Sequence, residues 1–329
     1  GTNKMGKSRK ARWLPTWNIS GAWNVHEEKF FSHVQPALSH LSLKASYSLT
    51  ADRGPSYVTN SLAVIKASTP WRPTSGDTET GLKVSSLENA QLTYEKKHEL
   101  NLGLDVGFVN NRINLAFDWY KRNNFDLIGT VTTQGIGGEI SKYGNVAEMK
   151  SQGVELSLFT RNIERKDFKW QTNFIFAWMD NEVTKLKTMT RMIDYITGTG
   201  YSMEGTPRGS LFSLKFKGLN EMGIPTFLAA DGSITSTNIQ FQETVNMSNL
   251  VYEGPVDPTI TGSLGNIFKW KGFTLNVFMT YSFGNVVRLD PIFSNGYSDL
   301  TAMPREFANR YLNPGDERRT NVPVIASTR

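Results

Sequence analysis

The sequence predicts an all-β fold, an antiparallel transmembrane β-barrel wall with short turns on one rim and long loops on the other. Three observations carry this prediction. Apolar and polar residues alternate over segments of about ten residues, the length of a membrane-crossing strand. Connections between those segments are alternately short and long. Aromatic residues make up 12% of a chain whose hydrophobic fraction is only 39%.

In a strand, successive side chains point to opposite faces, so a sheet with one apolar face reads with period 2. Trp13, Trp17, Ile19, Trp23 and Val25 share one parity, and Leu41, Leu43, Ala45, Tyr47 and Leu49 repeat the pattern. Leu100, Leu102, Leu104, Val106 and Phe108 form a third strand. Asn110-Asn111 then reads as a two-residue turn, because Asn tolerates positive φ, and Ile113, Leu115, Phe117 and Trp119 lead away from it. A second hairpin pairs Val154, Leu156 and Leu158 with Phe168, Trp170, Phe174, Phe176 and Trp178. A third pairs Leu264, Phe268 and Trp270 with Phe273 to Phe283, turning at Lys271-Gly272. Leu275, Val277, Met279 and Tyr281 are expected to face lipid, and Thr274, Asn276 and Thr280 the lumen; Phe278 is an apolar exception at lumen parity. His26 to Val34 reads as one short helical turn.

The turns near Asn110, Arg165 and Lys271 take a few residues each, whereas Thr50 to Glu95, Lys121 to Gln152 and Asp180 to Thr259 are long links. Loops above about 12–15 residues are uncommon in compact soluble domains, and this rim asymmetry is typical of transmembrane barrels. The three short turns should therefore share one rim and the long links the other. Phe273 to Phe283 is ten steps, about 33 Å, which a tilt of roughly 40° projects to about 25 Å, the height of an outer-membrane apolar band. Trp13, Trp119, Trp178 and Tyr281 fit interfacial girdles. A soluble β-sandwich remains the alternative, although sandwich strands usually run about 3–10 residues.

The chain has no run of 18 apolar residues, which rules out a transmembrane helix. With no cysteine, neither a disulfide framework nor a thiolate metal site is available. Net charge is a modest +6, and the basic run Lys4, Lys7, Arg9, Lys10 and Arg12 reads as a solvated loop, with no nucleic-acid partner implied. No signal peptide opens the chain, and Gly1 reads as a cut end.

Particular segments then resemble a family. Leu92-Thr93-Tyr94-Glu95-Lys96, Leu100 to Asp105, Asn110-Asn111-Arg112 and Gly144-Asn145-Val146-Ala147-Glu148-Met149 are similar to SusC/RagA-like TonB-dependent transporters. So are Gly153 to Leu156, Asp167 to Trp170, Gly205-Thr206-Pro207-Arg208-Gly209-Ser210, Gly218-Leu219-Asn220, Tyr252 to Pro258, Tyr281 to Asn285 and Tyr311 to Asp316. The resemblance implies a 22-stranded barrel with an N-terminal plug, energised by TonB, under a SusD-like surface lipoprotein that captures glycan or peptide. It implies no cofactor. About eight strong strands are legible, ten with weaker ones, too few to close such a barrel. Plug, TonB box, early strands and final strands are missing from the pattern. Residues 1–329 are therefore expected to be part of a single β-barrel domain within a longer chain, unable to transport alone. A passive porin and a soluble glycan-binding sandwich are the rival readings.

Catalytic motifs find no support. His26, His33, His40 and His98 lack metal-ligand spacing, Glu27-Glu28 reads as a solvated pair, and the glycines of Gly135-Ile136-Gly137-Gly138 fall in a long link rather than a phosphate loop. Neither a catalytic nor a metal residue is assigned. Loop aromatics are the ligand candidates, because their faces stack on sugars or pack peptide side chains: Tyr57, Trp71, Tyr195 and Tyr201. Asn114, Asp118, Lys169, Gln171 and Asn173 are candidates for lining a transport route.

Overall fold

The computed structural model describes residues 14–35, 37–54, 63–69, 80–89, 91–135, 141–290, 292 and 304–325. Trp13, the basic run and Ile136-Gly137-Gly138 lie outside them. In chain order the elements are β1 (Trp17–Asn24), β2 (Leu38–Asp52), β3 (Val64–Ser68), β4 (Gly81–Ser86), β5 (Glu95–Phe108), β6 (Ile113–Thr132), β7 (Ser141–Glu164) and β8 (Phe168–Leu186). There follow α1 (Met192–Thr197), β9 (Ser210–Leu214), β10 (Phe216–Leu219), β11 (Pro225–Leu228), β12 (Ile234–Thr235), β13 (Leu250–Pro255), β14 (Ile260–Trp270) and β15 (Phe273–Phe283). Two compact units result, one of Gly1–Thr188, Met203–Arg208 and Pro258–Gly284, the other of Met189–Ser202, Gly209–Asp257 and Asn285–Arg329.

The first unit is built on one eight-stranded antiparallel sheet in the order β1-β2-β5-β6-β7-β8-β14-β15. Its register aligns the alternation of every strand. Ala45, Leu102, Trp119, Val154, Trp178, Ile260 and Phe283 stand opposite one another across seven strands. The adjacent row, Lys44, Gly103, Asp118, Glu155, Ala177, Thr261 and Ser282, is polar or small. Because opposed residues share a face, one face of the sheet is apolar and the other polar. Among the described residues nothing covers the apolar face: Ile19 is 73% exposed, Leu275 59% and Val277 51%. Trp119, Trp178 and Phe283 mark one end of this face; Phe168, Trp270 and Phe273 stand opposite one another at the other end, where Trp170 also stacks on Phe268 at 5.7 Å.

The short connections share one rim, as expected. Val109 N–H donates to Ala37, Arg161 N–H to Arg112 and Lys271 N–H to Asp167, tying neighbouring turns together. Lys271 and Gly272 both have positive φ (42° and 90°), the two-residue turn whose twist suits a hairpin. The turn at Asn110 is longer than the sequence predicts. It takes four residues, with Val109, Asn110 and Asn111 all at positive φ, because β5 and β6 close at the Phe108–Ile113 pair. Residues 25–33 form two 3₁₀ turns, Val25–Glu27 and Lys29–His33, rather than one helical turn, and bury Val25 and Phe31. Val25 thus leaves β1, to which its parity had assigned it.

A larger correction concerns Lys121 to Gln152. Most of this stretch is strand: β6 has 20 residues and β7 has 24. At ~3.3 Å per residue, 20 residues span roughly 65 Å, well beyond a band of ~25 Å even when tilted. Pairing continues above the apolar rows, with a bulge between Asn124 and Leu127 where Asp126 takes φ 57°.

The second unit holds the two-stranded β13–β9 sheet, the three-stranded β10–β11–β12 sheet and α1. Met192, Tyr195, Leu211 and Phe212 are buried in it. Arg288 donates from Nη2 to the Phe212 carbonyl at 2.9 Å, and Tyr311 packs over Gly223 and donates to the Glu221 carbonyl.

The facing assignment has a direct test. Val277 stands in the middle of β15 on the apolar face, so Val277→Lys in a complete, lipid-embedded barrel is expected to cost about 2–4 kcal/mol. Equilibrium unfolding in lipid vesicles measures it. Equal stability of the variant and the parent would place this face away from lipid.

Candidate functional site

The polar face of the sheet is the first candidate surface. Register places Asn114, Asp118, Lys169, Gln171 and Asn173 together on it, as the sequence predicts. Its charges are of both signs and largely paired. Lys44 bridges Asp105, and Glu99 receives Lys97 at 2.7 Å and Arg122 at 3.2 Å. The Arg122 guanidinium also lies 4.0 Å over the Tyr120 ring. Among the described residues its buried Nε has no partner at hydrogen-bonding angles, so the Glu99 contact at Nε is an ion pair. No single sign of charge dominates the face.

Beyond the apolar rows, side chains take over the work of ordering the chain. Asn145 accepts from Thr93 N–H at 2.8 Å and donates to the carbonyls of Thr93 (3.2 Å) and Asp126 (2.5 Å). Glu95 accepts from Ile128 N–H at 2.8 Å, and Lys96 reaches Asp126 at 2.7 Å. The segments at residues 92–96 and 144–149 therefore form one knot around buried Leu92, Tyr94 and Val146. Similarly, residues 203–208 lie along β8 above its last pair with β14. There Val183 N–H donates to Thr206, Gly205 N–H to Val183, and Leu186 N–H to the Glu204 carboxylate at 2.6 Å.

Of the loop aromatics, Tyr57 and Trp71 lie outside the described residues. Tyr195 and Tyr201 come together, ring centroids 5.8 Å apart and edge to face. Tyr195 is buried in α1 and packs edge to face on Phe212 at 5.1 Å, while its hydroxyl donates to the Ser202 carbonyl. Tyr201 keeps 38% of its surface exposed and Tyr252, which tilts against Phe212, keeps 45%. Phe212 and Tyr252 escape a reading of the sequence because β9 and β13 are short and pair across a 35-residue gap; the alternation of Leu250 and Tyr252 against Phe212 and Leu214 is their only signal. His26 packs against His40 at 4.1 Å and sits 3.0 Å from the Leu41 carbonyl, a packing contact between β2 and the first 3₁₀ turn.

Two predictions arise from these contacts. Asn145→Ala removes three hydrogen bonds at once and should lower the local stability of the knot by about 1–3 kcal/mol. Hydrogen exchange at the Thr93 amide reads this directly, and unchanged protection would mean the knot holds without Asn145. At α1, the Arg191 guanidinium, bonded to Asp194 at 2.9 and 2.8 Å, holds that carboxyl below the usual carboxylate range. A lowered carboxyl pKa stabilises at pH above its unfolded value, and the contribution is lost as pH falls through the lowered folded value. Order around α1 should therefore be constant at neutral pH and loosen only in strong acid. Arg191→Ala should move the Asp194 titration upward in a carboxyl-resolved NMR experiment.

Residues 3–295 match the family described as TonB dependent receptor-like, beta-barrel. The chain is 27% identical over 302 residues to TonB-dependent receptor P3 of Formosa agariphila, covering 87% of this chain and 30% of that protein. To TonB-dependent receptor SusC of Bacteroides thetaiotaomicron it is 30% identical over 182 residues, covering 54% of this chain and 18% of SusC. The chain thus spans about a third or less of the length of these relatives. It superposes on the RagAB peptide transporter with a TM-score of 0.76 at 25% identity, covering 99% of this chain and 35% of that one. The RagAB peptide importer in its "open-open" state shares the fold, with a TM-score of 0.74 at 24% identity. A soluble sandwich would bury its apolar face against a second sheet, whereas among the described residues no second sheet covers this face. Together with the family match, that makes this chain an outer-membrane protein that belongs to the TonB dependent receptor-like β-barrel family.

Proposed function

We propose that the protein takes up oligomeric nutrients, glycan or peptide, across the outer membrane in a TonB-dependent manner. The observation that carries this reading is the two-faced sheet of a chain that superposes on the RagAB peptide transporter over 99% of its length. On this reading residues 1–329 contribute part of one barrel domain. The plug on which TonB acts and the remaining strands belong to the rest of the protein. The apolar rows meet lipid, and the polar face with Asn114, Asp118 and Gln171 borders the route. A SusD-like surface lipoprotein is the expected partner, and the long loops are where cargo first meets the barrel.

Among the loop aromatics, Tyr201 is the described ring with both exposure and a rigid backing. Tyr195, itself braced by Phe212, holds it from behind, and Gly198 leaves room beneath it. Tyr57 and Trp71 remain candidates of the same kind.

The test uses the full-length receptor with its partner in cells, given a fluorescent oligopeptide and fluorescent maltoheptaose in parallel. Uptake of one of them is expected, with loss on deletion of TonB. Tyr201→Ala should weaken cargo capture roughly two- to tenfold, the worth of one aromatic contact of about 0.5–1.5 kcal/mol. Uptake that persists undiminished without TonB would instead indicate a passive pore.

A further inference from the structure

Register carries the lipid-facing parity of β6, β7 and β8 past their last apolar row. Trp119, Val154 and Trp178 stand opposite one another, and the next row of the same parity is Lys121, Gln152 and Asp180. Asn123, Lys150 and Glu182 follow above it. No bulge falls between these rows, so the polar residues face outward as Trp119 and Trp178 do.

This face turns away from the rest of the barrel. β6, β7 and β8 are interior strands of the sheet, so strands that complete a barrel pair at β1 and β15. A plug inside the barrel meets the opposite, polar face. The outward face of these three strands meets the membrane. Its row above the tryptophans lies toward the long links, at the headgroups of the outer leaflet.

The charges in that region are unevenly paired. Lys150 bridges Glu182 at 2.8 Å. Among the described residues Lys121 and Asp180 have no ion pair, and the Gln152 amide between them has no hydrogen-bond partner; all three side chains are exposed. They border a shallow depression of about 200 Å³. Two strand spacings, about 10 Å, separate Lys121 from Asp180 across β7.

A free cation and a free anion at that separation, with a primary amide between them, complement a group that carries both signs. A phosphate alone would meet Asp180 as a like charge, and an amine alone would meet Lys121 in the same way. Phosphoethanolamine satisfies both ends: its phosphate suits Lys121 and the Gln152 N–H, and its ammonium suits Asp180. Below the depression, Val154 and Leu156 of β7 run between the larger rings of Phe117 and Trp119 on one side and Phe176 and Trp178 on the other. That is an aliphatic groove suited to acyl chains. Above the depression the paired wall continues with Asn123 and the Lys150–Glu182 pair, polar groups that suit sugar hydroxyls. A lipid with a tall sugar headgroup meets all three levels, whereas a phospholipid meets only the lower two.

We propose that Lys121, Gln152 and Asp180 form a headgroup site for an outer-leaflet glycolipid that carries phosphoethanolamine. The site rests on the outer-membrane barrel and not on the transport reading, and it is indifferent to the class of cargo.

The experiment applies native mass spectrometry to the full-length receptor in detergent. Its probes are phosphoethanolamine-modified lipid A, unmodified lipid A, phosphatidylethanolamine and phosphatidylglycerol at equal concentration. The parent should retain modified lipid A about fivefold above each of the others, equivalent to ~1 kcal/mol. Asp180→Asn should remove that preference and leave retention of unmodified lipid A unchanged, whereas Lys121→Gln should lower retention of both forms. Heat-modifiable migration reports folding of each variant. If Lys121→Gln disturbs it, Asp180→Asn decides the matter, because its effect is confined to the modified lipid. Equal retention of the two lipid A forms by the parent overturns the match to phosphoethanolamine. Retention led by phosphatidylethanolamine overturns the glycolipid as occupant. A preference that survives Asp180→Asn, or retention of none of the four lipids, overturns the site. Nutrient uptake, measured separately in cells, stands or falls independently of these results.

Discussion

Within a bilayer no water is present to satisfy a backbone amide, so every N–H and C=O of a lipid-facing wall must find a neighbouring strand. That constraint governs the rest of this structure. It forces long antiparallel pairing, and pairing forces register. Once Trp178 stands opposite Val154 and Ile260, the residues of β7, β8 and β14 between the bulges at Glu148–Met149 and Arg161–Ile163 have their faces assigned. A slip of one residue would send Trp178 into the polar rows and Ala177 toward lipid. The row from Ala45 to Phe283 shows that no such slip occurs across the seven strands it joins.

Glycines inside these strands are managed by the same geometry. A glycine in a strand weakens it and bares the backbone. Here an aromatic ring from the facing strand lies over the gap: Tyr120 over Gly153, Tyr281 over Gly262 and Phe278 beside Gly265. Tyr281 goes further, donating from its hydroxyl to the Ile175 carbonyl at 3.0 Å, so that one side chain ties β15 to β8 across β14. Rings over glycines pin register in addition to covering backbone. The device is complete for the two tyrosines. At Phe278 it leaves a hollow on the polar face.

Where the strands leave the apolar rows the constraint relaxes, and the chemistry of stabilisation changes with it. Water can now satisfy backbone groups, so order depends on particular side chains: Asn145 and Glu95 around β6 and β7, Glu204 along β8, and the Arg191–Asp194 pair at α1. Such polar contacts contribute less each than the wall's collective pairing. They hold the long connections in defined shapes, which ligand-handling loops on a rigid scaffold require.

The sequence by itself determined the strand parities, the hairpin at Lys271-Gly272, the common rim of the short turns and the face shared by Asn114, Asp118, Lys169, Gln171 and Asn173, because alternation is a local record of which side meets lipid. It could not reveal that β6 and β7 continue past Lys121 and Gln152. Outside the bilayer both faces are wet, so a paired strand such as Lys121–Asn124 reads as loop. Nor could it join Thr93 to Asn145, 52 residues apart, or bury Tyr195 against Phe212. Those depend on contacts between segments whose local patterns carry no mark of one another. Phe278 lies between the two cases: its parity was legible as an exception, but only the neighbouring strands, bringing Phe159, Gly265 and Ile267 beside it, turned the exception into a shaped apolar hollow.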